Sequence, residues 1–139
     1  MSRVSVMVPA EARAVIDYSL DRKATLSELF KGLSTHLLDV DPYLLKAAKH
    51  HGLITDRQCP VCKKENLTEL RYTYGDQLGQ YSGRIKTNDE IAEMANEYGE
   101  FKVYVVEICK GCRWNHLVLS YVMGDGQLRR PPRKLPVYE

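Results

Sequence analysis

Four cysteines, which are all the cysteines of this 139-residue chain, occur as two pairs with the same spacing. Cys59 and Cys62 form the first pair, Cys109 and Cys112 the second, and each pair encloses two residues. This spacing lets one tight turn direct both sulfurs at a single ion, and thiolates are common ligands of structural Zn²⁺. The sequence therefore predicts one structural zinc ion held by all four cysteines.

Two other uses of the same cysteines stay open. Iron in a rubredoxin-like site takes the same four thiolate ligands. Disulfides are the other alternative, although a reducing compartment favours metal binding over disulfide formation. A site closed by four thiolates leaves no coordination position for a substrate, so the motif predicts a scaffold and no particular activity.

The composition is that of an ordinary globular protein, with 44% hydrophobic and 27% charged residues. No apolar run approaches the roughly 20 residues that a membrane-spanning helix needs. The first eight residues are too short for a secretory signal. We therefore expect a cytoplasmic protein without a membrane partner.

The net charge of +2 is concentrated at one end of the chain. Residues 125–139 hold four basic and two acidic residues, whereas the rest of the chain holds 16 of each sign. Three prolines in this tail favour an extended segment. We predict that its cations bind a protein partner or contact nucleic acid directly, the alternative being a solubilising tail without a binding role. These candidate residues are Arg129, Arg130, Arg133 and Lys134.

Three short helices are predicted before the first cysteine pair. Apolar residues at helical spacing indicate a helix over about residues 9–22, and a second follows over about 26–30, opened by a capping-box pattern at Thr25 and closed by Gly32. Asp41-Pro42 begins a third helix, which Gly52 ends. These helices have little apolar surface of their own, so we expect them to pack on the cysteine-containing part or on a partner.

The remaining chain predicts a hairpin, a helix and two further strands. The alternation in residues 67–74 indicates a half-buried strand, with Glu69, Arg71 and Thr73 on the side opposite Leu70 and Tyr72. A capping box at residues 87–90 begins an amphipathic helix. The predicted elements are strands over about 67–74, 80–85, 101–108 and 114–123, and a helix over 88–98.

Together these elements predict an α+β fold. Its N-terminal short helices pack on a four-cysteine zinc ribbon of about four antiparallel strands with an inserted helix. We predict three units, which are an N-terminal helical region over 1–55, a zinc-ribbon domain over 56–124 and a basic, proline-rich extended tail over 125–139.

Several short motifs give the chain a more specific resemblance than the cysteine pairs alone. Beyond those pairs, they are Asp41-Pro42-Tyr43-Leu44-Leu45, Tyr74-Gly75-Asp76, Val103-Tyr104-Val105-Val106-Glu107 and Trp114-Asn115-His116-Leu117. With them the chain resembles an uncharacterised bacterial family of short zinc-ribbon proteins over Val15 to Gly124. The resemblance implies the same fold and a cytoplasmic setting, and it implies no activity. The basic tail lies outside the matching region.

Residues around the cysteines have alternative interpretations. His116 follows Cys112 by four residues and can replace a cysteine ligand, but packing or a partner contact is the preferred interpretation. Trp114 is either a surface anchor or a residue that packs over the metal site. The cations next to the two cysteine pairs either compensate the negative charge of a zinc–thiolate centre or contact phosphate. They are Lys63, Lys64, Lys110 and Arg113.

No familiar catalytic motif occurs in the sequence. There is no GxGxxG, Walker, HExxH or GxSxG pattern, and every cysteine is assigned to the metal. Asp76 with Glu107 is the only acidic pair that we propose, on an unproven strand pairing. We therefore predict no catalytic residue and no small-molecule substrate.

These patterns predict a non-catalytic zinc-ribbon adaptor or regulator that docks on a cytoplasmic machine, RNA polymerase or the ribosome. The analogy with zinc ribbons of that machinery rests on the fold alone. Direct binding of nucleic acid is the alternative, and a small metal-dependent enzyme is the third hypothesis.

Overall fold

A computed structural model describes residues 6, 8–32, 38 and 40–126 of the chain. Three helices and a six-stranded antiparallel sheet make up this part, which confirms the predicted α+β class. The helices are α1 (Ser19–Phe30), α2 (Pro42–His51) and α3 (Asn88–Glu97). The strands are β1 (Arg13–Asp17), β2 (Leu53–Gln58), β3 (Asn66–Tyr74), β4 (Arg84–Ile85), β5 (Phe101–Ile108) and β6 (Asn115–Met123). None of these helices combines the length and the apolar character that crossing a membrane requires.

The strands follow the order β1-β6-β5-β3-β2, and the short β4 also pairs with β3. Three of the four predicted strands correspond to β3, β5 and β6, whereas the predicted strand over 80–85 forms only at Arg84–Ile85, as β4. The strands β1 and β2 were not predicted, and they extend the sheet on both sides. Between β3 and β4 a 3₁₀ segment spans Asp76–Tyr81, so it includes the turn of the predicted hairpin and the first two residues of the predicted second strand.

The predicted helix over residues 9–22 is wrong in its first half. Ile16 and Asp17 pair with Ser120 and Leu119 of β6, because β-branched Val15 and Ile16 suit an extended edge strand whose partner supplies the hydrogen bonds. Helix α1 starts only at Ser19, whose backbone N–H donates to Asp17 Oδ1 at 2.7 Å.

Thr25, which the sequence predicted as a helix cap, lies inside α1. Its hydroxyl donates to the carbonyl oxygen of Asp21 at 3.0 Å, one turn earlier in the same helix. The predicted second helix is therefore the second half of α1, and Gly32 follows its end with φ of 73°.

Helices α2 and α3 begin where their capping residues predict. Asp41 Oδ1 accepts a hydrogen bond from the Tyr43 N–H at 2.8 Å, and Thr87 with Glu90 forms a complete capping box. Gly52 ends α2, and a Cβ there would lie 2.2 Å from the Thr68 methyl group. Glycine is therefore required where α2 leads directly into β2.

One face of the sheet, which we call the inner face, is closed by α1 and α3. It presents charged residues of β3 as well as apolar ones, and Glu69 and Arg71 are buried there. The expected half-buried strand with a polar solvent side is therefore wrong for β3. Apolar residues of α3 complete the core of this face; they are Ile91 and Met94, which pack with Tyr98, Phe101, Val103, Val105, Tyr121 and Met123.

The opposite, outer face is only partly covered. Ala47 and Ala48 of α2 pack on Leu70 and Ile108 at one end of the sheet. Beyond α2, the same face presents Tyr72, Tyr74, Lys102 and Tyr104. The side of β3 that looked apolar in sequence is thus the more open one.

A β-bulge in β6 interrupts the alternation of its side chains. Val106 pairs with Leu117 and Val105 pairs with Leu119, so Val118 is the extra residue. Because of this shift, His116 lies opposite Glu107 on the inner face.

Candidate metal centre

The two cysteine turns repeat one backbone design. In the first turn, the Lys63 N–H donates to the Cys59 carbonyl at 3.1 Å, and in the second the Arg113 N–H donates to the Cys109 carbonyl at 3.0 Å. Lys63 and Arg113 both have left-handed backbone conformations, with φ of 57° and 72°. The equivalent residue of each turn therefore reverses the chain into the next strand.

Strand pairing brings these turns together. The first turn leads from β2 into β3 and the second from β5 into β6, while Thr68 of β3 pairs with Ile108 of β5. Both turns consequently lie at the same end of the sheet, although 46 residues separate the two cysteine pairs in sequence.

The four sulfurs have the spacing of a metal site. All four lie within 4.8 Å of one another, with Sγ–Sγ distances of 3.6 Å for Cys59–Cys112 and 3.7 Å for Cys62–Cys109. A tetrahedron with metal–sulfur bonds of about 2.3 Å has sulfur–sulfur edges of about 3.8 Å. Disulfide sulfurs would lie about 2.05 Å apart, and all four cysteines are free. The predicted ligands are thus brought together in a geometry suited to a metal ion.

The protein environment divides the thiols by acidity. Hydrogen bonding from the Lys64 backbone lowers the pKa of Cys62 to about 7. Burial raises the pKa of Cys109 and of Cys112. Metals bind the thiolate, so ion binding must displace protons from the thiols of Cys109 and Cys112, and the metal affinity must fall as the pH falls.

Apolar side chains seal the centre from one side. Trp114 is buried and packs with Cys59 and Cys109, which agrees with its interpretation as a cover over the metal site. Leu26 and Leu29 of α1 join the same cluster. Helix α1 therefore belongs to the surroundings of the metal centre.

His116 lies beside the centre without joining the cysteine cluster. Its ring stacks on that of Trp114 with centroids 5.7 Å apart, and its Nε2 lies 3.2 Å from the Thr25 hydroxyl. Within the described part of the chain, the group suited to a metal ion consists of the four cysteines. The packing interpretation of His116 agrees with this geometry.

A buried ionic cluster adjoins the metal centre. Glu107 is fully buried and accepts hydrogen bonds from Arg22 at 2.7 Å, from Arg57 at 3.0 Å and from the Trp114 indole at 2.8 Å. The indole thus connects the cover of the metal site to this carboxylate. One arginine comes from α1 and the other from β2, so Glu107 joins both elements to β5.

Arg57 extends the cluster to a second glutamate. Its other terminal nitrogen donates to Glu69 at 3.0 Å, and Arg71 donates to the remaining Glu69 oxygen at 3.1 Å. Every carboxylate oxygen of Glu69 and Glu107 therefore accepts a charged hydrogen bond, which offsets much of the cost of burying the carboxylates.

The predicted pairing of Asp76 with Glu107 is wrong, because Glu107 lies opposite Glu69 in the β3–β5 register. Asp76 follows the other end of β3, beside Phe101 and Lys102. Sequence analysis also missed the arginines that engage Glu69 and Glu107. The available signal was Glu107 itself, the one acidic residue of a largely apolar strand.

The predicted partner-binding residues of the tail, Arg129, Arg130, Arg133 and Lys134, lie outside the described residues. The four cations next to the cysteine pairs belong to the two cysteine turns or follow them directly, and their role in charge compensation stays a prediction.

Comparison with known proteins gives a family without an activity. The model of a family of unknown function, DUF5318, matches residues 10–136. The uncharacterised proteins Rv0049 of Mycobacterium tuberculosis and Mb0050 of Mycobacterium bovis are each 44% identical to this chain over 120 residues, covering 85% of it and 88% of the relative. No solved structure matches. The family match includes the basic residues of the tail, which the sequence analysis had placed outside the resemblance. The chain belongs to this family.

Proposed function

We propose that this DUF5318 protein is a non-catalytic adaptor of the cytoplasm, built on one structural zinc ion, which docks on a large assembly that handles nucleic acid. RNA polymerase and the ribosome are the assemblies we propose. The metal centre serves as a scaffold and other surfaces bind the partner.

The donor set supports a structural zinc ion. Four thiolates complete a tetrahedral coordination sphere, and the apolar cover from Trp114 and α1 encloses it on one side. Bound zinc supplies a crosslink between the β2–β3 turn and the β5–β6 turn. The protein residues hold the sulfurs in place and exclude water on the side of Trp114.

The observation that carries the adaptor proposal is the exposed apolar surface of β1 and α1. Leu20 and Phe30 of α1 are 82% and 63% exposed, and Val15 and Ile16 of β1 are exposed too. Large apolar side chains exposed on an edge strand and on the helix that follows it are features of protein-binding surfaces. Their burial on a partner would remove apolar area from water, which favours association.

The test is purification of a tagged, metal-loaded full chain from its native cell, followed by reconstitution with the partner identified by mass spectrometry. We expect Leu20→Ser with Phe30→Ser to weaken that binary complex at least tenfold. The matched control replaces two exposed polar residues of the same helix, Lys23→Ser with Glu28→Ser, and should keep the affinity. Equal affinity of the apolar variant and the unaltered chain would contradict docking through this surface.

A further inference from the structure

The open part of the outer face contains a cleft rich in cations. The cleft has a volume of about 400 Å³ and lies between α2 and β4. Its polar lining comes from both elements and consists of Tyr43, Lys46, His50, His51, Arg84 and Lys86.

A second cleft beside it is aromatic. Its volume is about 460 Å³, and Tyr72, Tyr74, Tyr104 and Val106 line it. Tyr72 lies opposite Tyr104 in the β3–β5 register, and the rings of Tyr74 and Tyr104 meet edge to face with centroids 5.4 Å apart. The Lys102 ammonium group lies 5.3 Å from the centroid of the Tyr104 ring, so a cation borders the aromatic surface.

These clefts adjoin through a pair of neighbouring strands. Ile85 in the wall of the first cleft pairs with Tyr72 in the wall of the second. Burial raises the pKa of Tyr72 to about 12, and Tyr43 in the wall of the first cleft adds to this effect. We call the combined surface the tyrosine groove; it comprises the residues of both clefts together with Lys102.

The charged residues that line the two clefts of the tyrosine groove are cations, whereas carboxylates lie at its borders: Asp76 and Glu100 line a neighbouring cleft with Lys102, and Asp89 lines another with Lys86. Lys46, Arg84, Lys86 and Lys102 belong to the groove, and no carboxylate lines either cleft within the described part of the chain. The nearby Asp41 is engaged as the cap of α2. Stacking aromatics bordered by cations form a surface that suits unstacked bases joined by phosphates.

We propose that the tyrosine groove binds single-stranded RNA. Tyr74 and Tyr104 offer ring faces or edges to bases, and Lys46 with Lys86 neutralises phosphates at the α2 end. A duplex keeps its bases stacked inside, so a single strand is the form that can use the aromatic cleft. The surface lies apart from β1 and α1, and this inference does not rest on the adaptor proposal.

One polar atom favours RNA over DNA. The Tyr72 hydroxyl is buried at the groove and has no hydrogen-bond partner among the described residues. The hydroxyl is shielded from solvent in the free protein, so a bound strand reaches it only through a shift of the Tyr72 ring. A ribose 2′-hydroxyl, which both donates and accepts hydrogen bonds, then satisfies this group where deoxyribose cannot.

The experiment is fluorescence anisotropy of the metal-loaded full chain with a labelled single-stranded RNA of mixed sequence, about 12 nucleotides long, which suits the site sizes of such grooves. We expect Tyr74→Leu with Tyr104→Leu to weaken binding about tenfold or more, as loss of base stacking does. Lys46→Gln with Lys86→Gln should lower the slope of log affinity against log salt by about two, one for each phosphate contact.

Matched controls come from α1, on the other face of the sheet. Phe30→Leu removes an exposed aromatic and Lys23→Gln removes an exposed cation, and both should bind RNA like the unaltered chain. Metal content and the circular dichroism spectrum of every variant establish that it is folded.

Three results would overturn the proposal. The first is absence of RNA binding at low salt by the unaltered chain. The second is equal or tighter binding of single-stranded DNA of the same sequence, which removes the role of the 2′-hydroxyl. The third is self-association of the unaltered chain, measured by sedimentation, that the double tyrosine variant abolishes while RNA binding persists. That result would make the groove an interface between copies of this chain. If the chain binds no RNA but still captures its protein partner, the groove proposal fails and the adaptor proposal stands.

Discussion

The two faces of β3 contrast in a way that hydropathy does not predict. The face with Glu69 and Arg71 is buried, whereas the face with Tyr72 and Tyr74 ends in an open groove. The difference lies in the partners available from distant segments. Arg57 and Glu107 complete the charge pairing on the inner face, while α2 is too short to cover all of the outer face.

This contrast separates two uses of polar and aromatic residues. On the inner face, fixed ion pairs connect α1, β2, β3 and β5 around the metal centre. On the outer face, tyrosines and lysines border open clefts. We therefore expect substitutions on the inner face to affect folding and substitutions on the outer face to affect binding.

The largest effect should come from removing one metal ligand. Structural metal ions contribute on the order of 10 kcal/mol to the folding of small zinc domains, so Cys109→Ser should release the ion and abolish cooperative unfolding. Elemental analysis and thermal denaturation measure both. His116→Ala is the control and should keep one metal ion per chain. Retention of a full equivalent of metal by the Cys109 variant would refute ligation by all four cysteines.

The next largest effect should come from Glu107→Gln. Removing one partner of a buried ion pair costs about 3–5 kcal/mol, because Arg22 and Arg57 would keep their charges without this carboxylate. Urea denaturation of the metal-loaded protein measures the loss. Glu97→Gln, at an exposed position of α3, should change stability by less than about 0.5 kcal/mol. Comparable stabilities of the two variants would mean that the inner-face cluster contributes nothing to folding.

The sequence predicted those features that local chemistry determines. Asp41, Thr87 and their neighbours locate the starts of α2 and α3, and the paired cysteines identify the metal-binding residues. The alternation of residue types located β3, because the two faces of this strand differ in composition and that difference does not depend on which face is buried.

Long-range contacts explain most of what was missed. Arg22 and Glu107 lie 85 positions apart, and no local pattern indicates that they meet. Strand β1 is exposed along its whole length and depends on β6 for its hydrogen bonds. The bulge at Val118 likewise follows from the pairing of two strands, and it changes which side chains of β6 share a face.

A pair of tyrosines tests the comparison of the two faces directly. Tyr121 is fully buried on the inner face, whereas Tyr104 lies in the open groove. We expect Tyr104→Leu to cost about 1 kcal/mol, the scale of one aromatic pair, and Tyr121→Leu to cost clearly more because its ring fills the core. Chemical denaturation of both variants checks the order. A larger loss for Tyr104 would show that the groove is part of the folded core.

The smallest effect should come from the turn after Cys62. Substitutions there test whether charge or backbone geometry explains the lysine at position 63. Lys63 has a left-handed backbone, which costs a residue with a Cβ about 1–2 kcal/mol, whereas Lys64 does not have a positive φ. Glycine removes that strain but loses about 0.5–1 kcal/mol of chain entropy on folding.

Lys63→Gly should therefore leave stability unchanged or raise it by up to about 1 kcal/mol, while Lys64→Gly should lower it by about 0.5–1 kcal/mol. Urea denaturation with the metal bound distinguishes these signs, and metal competition with a chelator reports on the site itself. If the cations chiefly compensate the thiolate charge, the two variants lose metal affinity together. Equal losses of stability and affinity in both variants would favour charge compensation over backbone geometry as the reason for lysine at position 63.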